Sequence, residues 1–163
     1  MKLTLVYEWD CSPEAFWALY FDPDFAVRLH REALGSTSAE VVSQDGDLAN
    51  GLVRTLRYGQ RPNMPGPVRK IFGDEVMTTE VSTFDPASST TTFTMTPGTM
   101  SDKTHIEGSI AFTNDEGRTV ETFSLDARVK IFGAGPIVER FIEAQARAMQ
   151  EKSVEFMRAE LGG

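Results

Sequence analysis

The residue types that most often bind metals or act as nucleophiles are scarce in this chain. It contains two histidines, His30 and His105, and one cysteine, Cys11. They form none of the CxxC, HExxH or HxH spacings that bring several ligands to one metal ion. No serine lies in the GxSxG pattern of an activated nucleophile. The sequence therefore predicts no metal, no cofactor and no catalytic residue.

Polar side chains within apolar segments are the other candidates for chemistry. Gln145 interrupts the apolar stripe of the last helical segment, either at its margin or as a polar anchor inside a pocket. Arg54, Arg57 and Glu80 could serve as anchors too, but the strand pattern leaves open which way they face. An enzyme would need acid or base groups inside such a pocket. The candidates for that role are few, namely Tyr7, His105, Glu107 and Arg57.

Charge and composition narrow the classes of partner. The 163 residues carry a formal net charge of −8, which would repel nucleic acid. No stretch approaches the roughly 20 apolar residues that span a bilayer. Glu8 and Asp10 interrupt the first apolar run too early for a signal peptide. A single cysteine fits a reducing compartment. We therefore predict a soluble, cytoplasmic protein of one domain, residues 1–163, that binds no nucleic acid.

Local patterns predict the first elements of the chain. Residues 2–10 alternate in polarity, as a half-buried strand does. Ser12-Pro13 and Asp22-Pro23 are each typical of a helix start, so two short helices should follow. Residues 37–131 resemble about six strands, with a turn predicted at 44–47.

A long helix is predicted over residues 136–161. Its apolar stripe consists of Val138, Phe141, Ile142, Met149 and Phe156, with Gln145 and Lys152 interrupting it. An antiparallel sheet with one apolar face must be covered, and only this helix is long enough. We therefore predict an α+β, helix-grip fold, in which a curved antiparallel sheet of about seven strands surrounds the helix and leaves an apolar cavity.

Three segments give the chain a resemblance to a known superfamily. They are Ser12–Trp17 after the first strand, Asp24-Phe25 in the second helix and Phe132–Pro136 before the long helix. In this order of elements the chain resembles the START-like superfamily, also called SRPBCC or birch-allergen-type. It is most similar to bacterial members without an assigned function, and more distantly to sterol-transfer domains. The resemblance implies a cavity for a lipid, sterol, polyketide, quinone or similar molecule.

The strand alternation and the helix stripe predict which side chains line that cavity. The predicted ligand-binding residues are Phe93, Met95, Ile110, Phe112, Phe123, Leu125, Phe141, Gln145 and Met149. Small residues facing the same space, Gly108, Ala127 and Ala148, are expected to enlarge it. We therefore predict binding or transport of a hydrophobic small molecule. Two alternatives stay open: an enzyme of the cyclase, aromatase or dehydratase type, and a protein-interaction module with a collapsed cavity.

Residues 54–72, here called the basic segment, differ in charge from the rest of the chain. They contain five basic residues and no acidic one: Arg54, Arg57, Arg61, Arg69 and Lys70. Met64, Ile71 and Phe72 accompany them. Positive charge beside exposed apolar side chains favours contact with anionic lipid. The segment is therefore a candidate for peripheral contact with an anionic membrane, unless its arginines form ion pairs and Ile71 and Phe72 pack inward.

Overall fold

The computed structural model describes residues 1–162 of the chain. Its strands are β1 (Lys2–Trp9), β2 (Ser38–Asp47), β3 (Gly51–Gln60), β4 (Val76–Asp85), β5 (Thr90–Pro97), β6 (Thr104–Asp115) and β7 (Arg118–Val129). All neighbouring pairs are antiparallel, and the seven strands form one sheet in the order β1-β7-β6-β5-β4-β3-β2. Strands β2 to β7 therefore each pair with the next strand in sequence. Strand β1 instead pairs with β7 and forms one edge of the sheet.

Four α-helices accompany the sheet. They are α1 (Pro13–Tyr20), α2 (Pro23–Arg28), α3 (Gly66–Phe72) and α4 (Gly135–Leu161), and a π-helical turn at Leu29–Ala33 continues α2. Helix α4 has 27 residues and is therefore about 40 Å long. It packs against β7, β1 and the π-helical turn. The predicted α+β, helix-grip fold with a long C-terminal helix is confirmed.

The two short helices begin where the sequence predicted. The Ser12 hydroxyl accepts a hydrogen bond from the Ala15 amide at 3.2 Å. The Asp22 carboxylate accepts from the amides of Asp24 at 2.9 Å and Phe25 at 3.1 Å. These caps satisfy amides that have no partner within their helices. They fix the sharp turn between α1 and α2 and so hold both helices at one end of the sheet.

The predicted turn at residues 44–47 is wrong, because β2 continues to Asp47. The turn lies at residues 48–50 instead. The Asp47 carboxylate accepts hydrogen bonds from the Ala49 amide at 3.0 Å and the Asn50 amide at 2.7 Å. An aspartate that bonds to the following amides in this way stabilises a turn after itself. Gly46 takes a positive φ of 91° and keeps its place in the ladder opposite Leu52.

An aromatic cluster joins α1 to the concave face of the sheet. Phe16 lies at its centre and is 2% exposed. Its ring centroid is 5.1 Å from Trp9, 5.0 Å from Trp17 and 4.6 Å from Phe112. Edge-on and tilted contacts at these distances are favourable beyond the area that they bury. This cluster closes one end of the concave face.

Replacing Phe16 tests this packing. Phe16→Ala is expected to lower the free energy of unfolding by about 3–5 kcal/mol, because it leaves a cavity among rings that cannot collapse freely. Phe132→Ala is the matched control, since Phe132 is fully exposed at 105% and its loss should change stability by less than ~0.5 kcal/mol. Urea unfolding of both variants measures the difference. Equal stabilities in the two variants would contradict the placement of α1.

Candidate functional site: a cavity between the sheet and helix α4

A cavity of about 220 Å³ lies between the concave sheet face, the π-helical turn and α4. The buried apolar residues of the protein form three separate clusters, and members of all three border this space. Phe123 belongs to the cluster around α1 and the strands β5 to β7. Met64 belongs to the cluster around α3, and Leu56 to the cluster on β3. The concave face is therefore not filled by one continuous core.

Eight of the nine predicted ligand-binding residues border the cavity. They are Phe93, Met95, Ile110, Phe123, Leu125, Phe141, Gln145 and Met149. The structure brings them together from β5, β6, β7 and α4, as the strand alternation and the helix stripe predicted. Their role in binding stays a prediction, because proximity alone does not establish a contact with a ligand.

Phe112 is the predicted residue that does not border the cavity. It faces the concave side, but its ring packs against Phe16 at 4.6 Å and Trp17 at 5.4 Å. Helix α1 covers that end of β6, so Phe112 belongs to the solid part of the core. The alternation along β6 gave its direction correctly and could not show which helix lies above it.

The three small residues expected to enlarge the cavity do not do so. A side chain at Gly108 would collide with the Phe93 ring, whose Cε2 atom lies 2.9 Å from the site of the missing Cβ. Ala127 is fully buried within the solid core, and Ala148 is exposed on the outer side of α4. The small residues that border the space are Ala26 and Ala146.

Helix α4 presents a regular stripe to the cavity, displaced from the predicted one near its C-terminus. The bordering residues are Val138, Phe141, Ile142, Gln145, Ala146, Met149, Gln150, Ser153, Val154 and Met157, which recur every three or four positions. Gln145 thus lies within the stripe, while Lys152 is exposed. Phe156 stacks on Phe25 of α2 with 5.6 Å between the ring centroids, so it lies outside the cavity.

Arg54 brings a positive charge to the cavity wall. Only 3% of this residue is exposed. One terminal nitrogen, Nη1, donates a hydrogen bond to the Tyr20 carbonyl oxygen at 2.6 Å, and Nε is buried without a partner. The guanidinium carbon lies 4.8 Å from the Tyr20 ring centroid and 4.9 Å from that of Phe21, which stabilises the cation through its attraction to the ring faces.

Glu80 on β4 brings a carboxyl group to the same wall. It is 7% exposed, and its Oε1 atom accepts a hydrogen bond from the Ser82 hydroxyl at 3.2 Å. Ser82 pairs directly with Arg54 across the sheet. Burial raises the pKa of Glu80, while the charge of Arg54 and the bond from Ser82 lower it. Arg54 and Glu80 form no direct ion pair within residues 1–162.

Two uncharged polar rings lie beside this pair. The centroids of the His30 and Tyr58 rings are 4.3 Å apart, and His30 Nδ1 lies 3.1 Å from the Ser36 hydroxyl. Burial, helped by the charge of Arg54, lowers the pKa of His30 to about 4. Burial also raises the pKa of the Tyr58 phenol. Both rings are therefore neutral at physiological pH. Arg54, Glu80, His30 and Tyr58 together are called the polar end of the cavity.

A second carboxyl group, Glu121, lies on β7 at the opposite side of the cavity. It is 0% exposed and accepts hydrogen bonds from Trp9 Nε1 at 2.7 Å and from Gln150 Nε2 at 3.0 Å. These bonds connect β7 with β1 and α4. Burial raises the pKa of Glu121 to about 7, although both bonds and the charge of Arg158 act in the opposite direction.

The acid and base candidates chosen from the sequence do not meet in the cavity. His105, Glu107 and Arg57 are exposed, and Tyr7 packs beside the core without bordering the cavity. The titratable groups that do border it are Tyr20, His30, Arg54, Tyr58, Glu80 and Glu121. The sequence contained a signal that Arg54 faces inward. Leu52, Leu56 and Tyr58 lie on the same side of β3 at a spacing of two residues, and all three are apolar or aromatic. The same holds for Glu121, which precedes Phe123 and Leu125 on the inward side of β7.

The basic segment is divided by the structure. Arg54 points inward, and Met64 and Phe72 are buried against α4. Arg61 pairs with Glu75 at 3.3 Å and Arg69 with Asp74 at 3.5 Å. The side chains of Met64 and Phe72, which were expected to be exposed, are therefore buried. Ile71 is half-buried, so contact with an anionic membrane stays a prediction that depends on the surface charges and on this one side chain.

One family of proteins matches nearly the whole chain. A model of the family described as "Protein of unknown function (DUF2505)" matches residues 4–161. The chain belongs to this family. No curated protein matches it. No helix among residues 1–162 is long and apolar enough to cross a membrane, and no group of three potential metal ligands occurs among them.

Solved structures share the fold at low sequence identity. An aromatase/cyclase from Streptomyces sp. R1128 has a TM-score of 0.65 and 14% identity, covering 97% of this chain and 94% of that one. A START superfamily protein from Mycobacterium smegmatis has a TM-score of 0.64 and 15% identity, with 98% of each chain covered. Ginseng major latex-like protein 151 from Panax ginseng has a TM-score of 0.61 and 12% identity, covering 98% and 96%. The DUF2505 chain therefore has a START-like fold.

The buried Glu121 carboxyl group should make the free energy of unfolding depend on pH. Its pKa of about 7 in the folded protein lies above the value of 4.5 expected in the unfolded chain, so folding favours its protonated form. That contribution is present below pH 4.5 and is lost as the pH rises through 7, by up to about 1.4 kcal/mol per pH unit. His30 has the opposite effect below pH 6.5, because its pKa is lowered on folding.

The variant Glu121→Gln separates the two effects. It keeps the shape and one acceptor but cannot ionise. Its free energy of unfolding, minus that of the wild type, is expected to increase steadily between pH 5 and 7, which urea unfolding at several pH values measures. A difference that is constant over this range would show that Glu121 does not titrate there.

Proposed function

We propose that this DUF2505 protein binds a compact, mainly apolar small molecule in the cavity between the sheet and α4. The observation that carries the proposal is the meeting of three apolar clusters around a space that none of them fills. Apolar walls with a few convergent polar groups are the usual composition of small-molecule sites. The START-like fold supports the same conclusion, since it places such a space beneath the long helix.

The volume of the cavity restricts the ligand. At about 220 Å³ it is smaller than the roughly 300–1,000 Å³ typical of sites for drug-sized ligands. A single alkyl chain or a small ring system suits this space better than a sterol or a diacyl lipid. The methionines that border it, among them Met95 and Met149, are flexible and can adapt to different ligand shapes.

Binding of a neutral apolar dye tests the proposal. N-Phenyl-1-naphthylamine is expected to bind saturably, one molecule per chain, with a negative change in heat capacity because apolar surface is buried. Ala146→Phe should weaken binding at least about tenfold by filling the cavity from α4. A lost contact of a ring in an apolar site is worth roughly 1–3 kcal/mol, and 1.4 kcal/mol is tenfold.

Ala148→Phe is the matched control for that experiment. It adds the same side chain to the same helix, two residues away on the exposed side. It should leave saturable binding unchanged, and circular dichroism should show both variants folded. Equal binding by the two variants would place the dye elsewhere, and no binding by the wild type would sink the proposal.

A second candidate function is catalysis in the same cavity. Glu80 and Tyr58 favour it, because they place a carboxyl and a phenol beside Arg54 in a largely apolar site, where acid–base chemistry could occur. The aromatase/cyclase from Streptomyces supports the possibility of catalysis, because that protein has a similar fold.

Mass spectrometry of the bound molecule distinguishes binding from catalysis. Wild type and Glu80→Gln are purified from the same host, and the small molecules that they retain are compared. An enzyme should retain a product in the wild type and its precursor in the variant, differing in mass by the elements lost in reaction. A binding protein should retain the same molecule in both.

A further inference from the structure

The polar end of the cavity holds a guanidinium and a carboxyl group that do not bond to each other. Arg54 and Glu80 are both more than nine-tenths buried and both border the cavity. The charge of Arg54 lowers the pKa of Glu80, yet no direct ion pair joins the two residues within the described chain. Buried charges without direct partners are costly, and proteins retain them mainly where they have a use.

The protein supplies only part of the hydrogen bonding that these two groups can form. The Arg54 guanidinium has five N–H groups, and one bond, to the Tyr20 carbonyl oxygen, is formed. Glu80 receives one bond, from Ser82, although a carboxylate can accept about four. The Tyr58 hydroxyl forms only a weak, long hydrogen bond to the Met95 sulfur, at 4.0 Å, and adds no bond to Arg54 or Glu80. Donors and acceptors thus remain available on the cavity wall.

Charge balance decides which ligand group completes this site. An anion would pair with Arg54 but would add a like charge beside Glu80 whenever that carboxyl group is ionised. A cation would have the opposite problem with Arg54. An uncharged group that accepts from the guanidinium and donates to the carboxylate would satisfy both without adding a buried charge.

We propose that the ligand carries, at one end of its apolar body, an uncharged group that both accepts and donates hydrogen bonds and bridges Arg54 and Glu80. Carboxamides, enols, phenols and hydroxyketones belong to this chemical class. The inference rests on the proposed binding function and adds the chemistry of the ligand's polar group. Gln145 lies elsewhere on the wall, on α4, and is not required for the bridge.

Competition between ligands with one alkyl chain and different head groups tests the bridge. Decanamide is uncharged and both donates and accepts, methyl decanoate only accepts, decanoate is an anion and decylammonium a cation. Each is titrated against bound N-phenyl-1-naphthylamine at pH 8. In the wild type, decanamide should compete best, by roughly tenfold or more, because a hydrogen bond to a charged group contributes more than one between neutral groups.

Two variants should change the order of preference in opposite directions. Glu80→Gln leaves the charge of Arg54 unbalanced, so decanoate should gain roughly tenfold relative to decanamide. Arg54→Met leaves Glu80 alone, so decylammonium should gain instead. The controls Arg57→Met and Glu107→Gln remove exposed charges from β3 and β6 and should keep the wild-type order.

The outcomes separate this inference from the proposed function. If the dye binds but the order of the four competitors is the same in all five proteins, the bridge is wrong while the apolar site stands. If the wild type prefers decanoate or decylammonium, the charge balance is wrong. If the dye does not bind to any folded variant, the proposed binding function itself fails. Thermal unfolding of each variant confirms that a lost preference does not reflect an unfolded protein.

Discussion

The structure depends on a mismatch in size between one sheet and one helix. Seven strands at a spacing of about 4.8 Å make a sheet roughly 29 Å across, whereas a helix with its side chains is only about 10–12 Å wide. Helix α4 can therefore cover only part of the concave face. Helices α1 and α2 close one end with aromatic rings, and α3 closes the other against the start of α4. The space that remains between these covers is the cavity.

The same mismatch explains why polar groups survive in the interior. Where α1 lies on the sheet, rings such as Phe16 and Phe112 fill the space. Arg54 on β3 and Glu80 on β4 both border the space that α4 leaves open, although the Arg54 guanidinium also packs on the Tyr20 and Phe21 rings at the end of α1. Stability alone would favour apolar residues at both positions, because a buried charge without a direct partner is costly to desolvate. The proposed recognition of a polar group on the ligand would give both residues a role.

Much of the fold could be predicted from local signals. The caps at Ser12 and Asp22 and the alternation along β7 depend on neighbouring residues only, so the sequence shows them directly. The length of α4 follows from its periodic stripe, and its pairing with a curved sheet follows from the need to cover an apolar face. The turn after β2 was misplaced, because Gly46 resembled a turn residue while the Asp47 side chain stabilises the turn that follows it.

The cavity wall was harder to predict, because each error depended on a distant contact. Phe112 faces inward but lies under α1, and Gly108 is covered by the Phe93 ring from the next strand. The stripe of α4 passes through Met157 rather than Phe156, since Phe156 packs on α2. Alternation gives the direction of a side chain but not the element above it. Arg54 and Glu80 were candidates for inward anchors whose direction the strand pattern left open, and Glu121 was not among the candidates.

An unfilled apolar space beneath α4 should bind xenon, so crystallography under xenon pressure is the decisive measurement. Xenon enters apolar cavities that water leaves empty. Xenon is expected between the strands and α4, beside Phe93, Phe123 and Met149, and not next to Arg54 and Glu80. Side chains packed into this space, or xenon bound only at the surface, would show that the space does not exist.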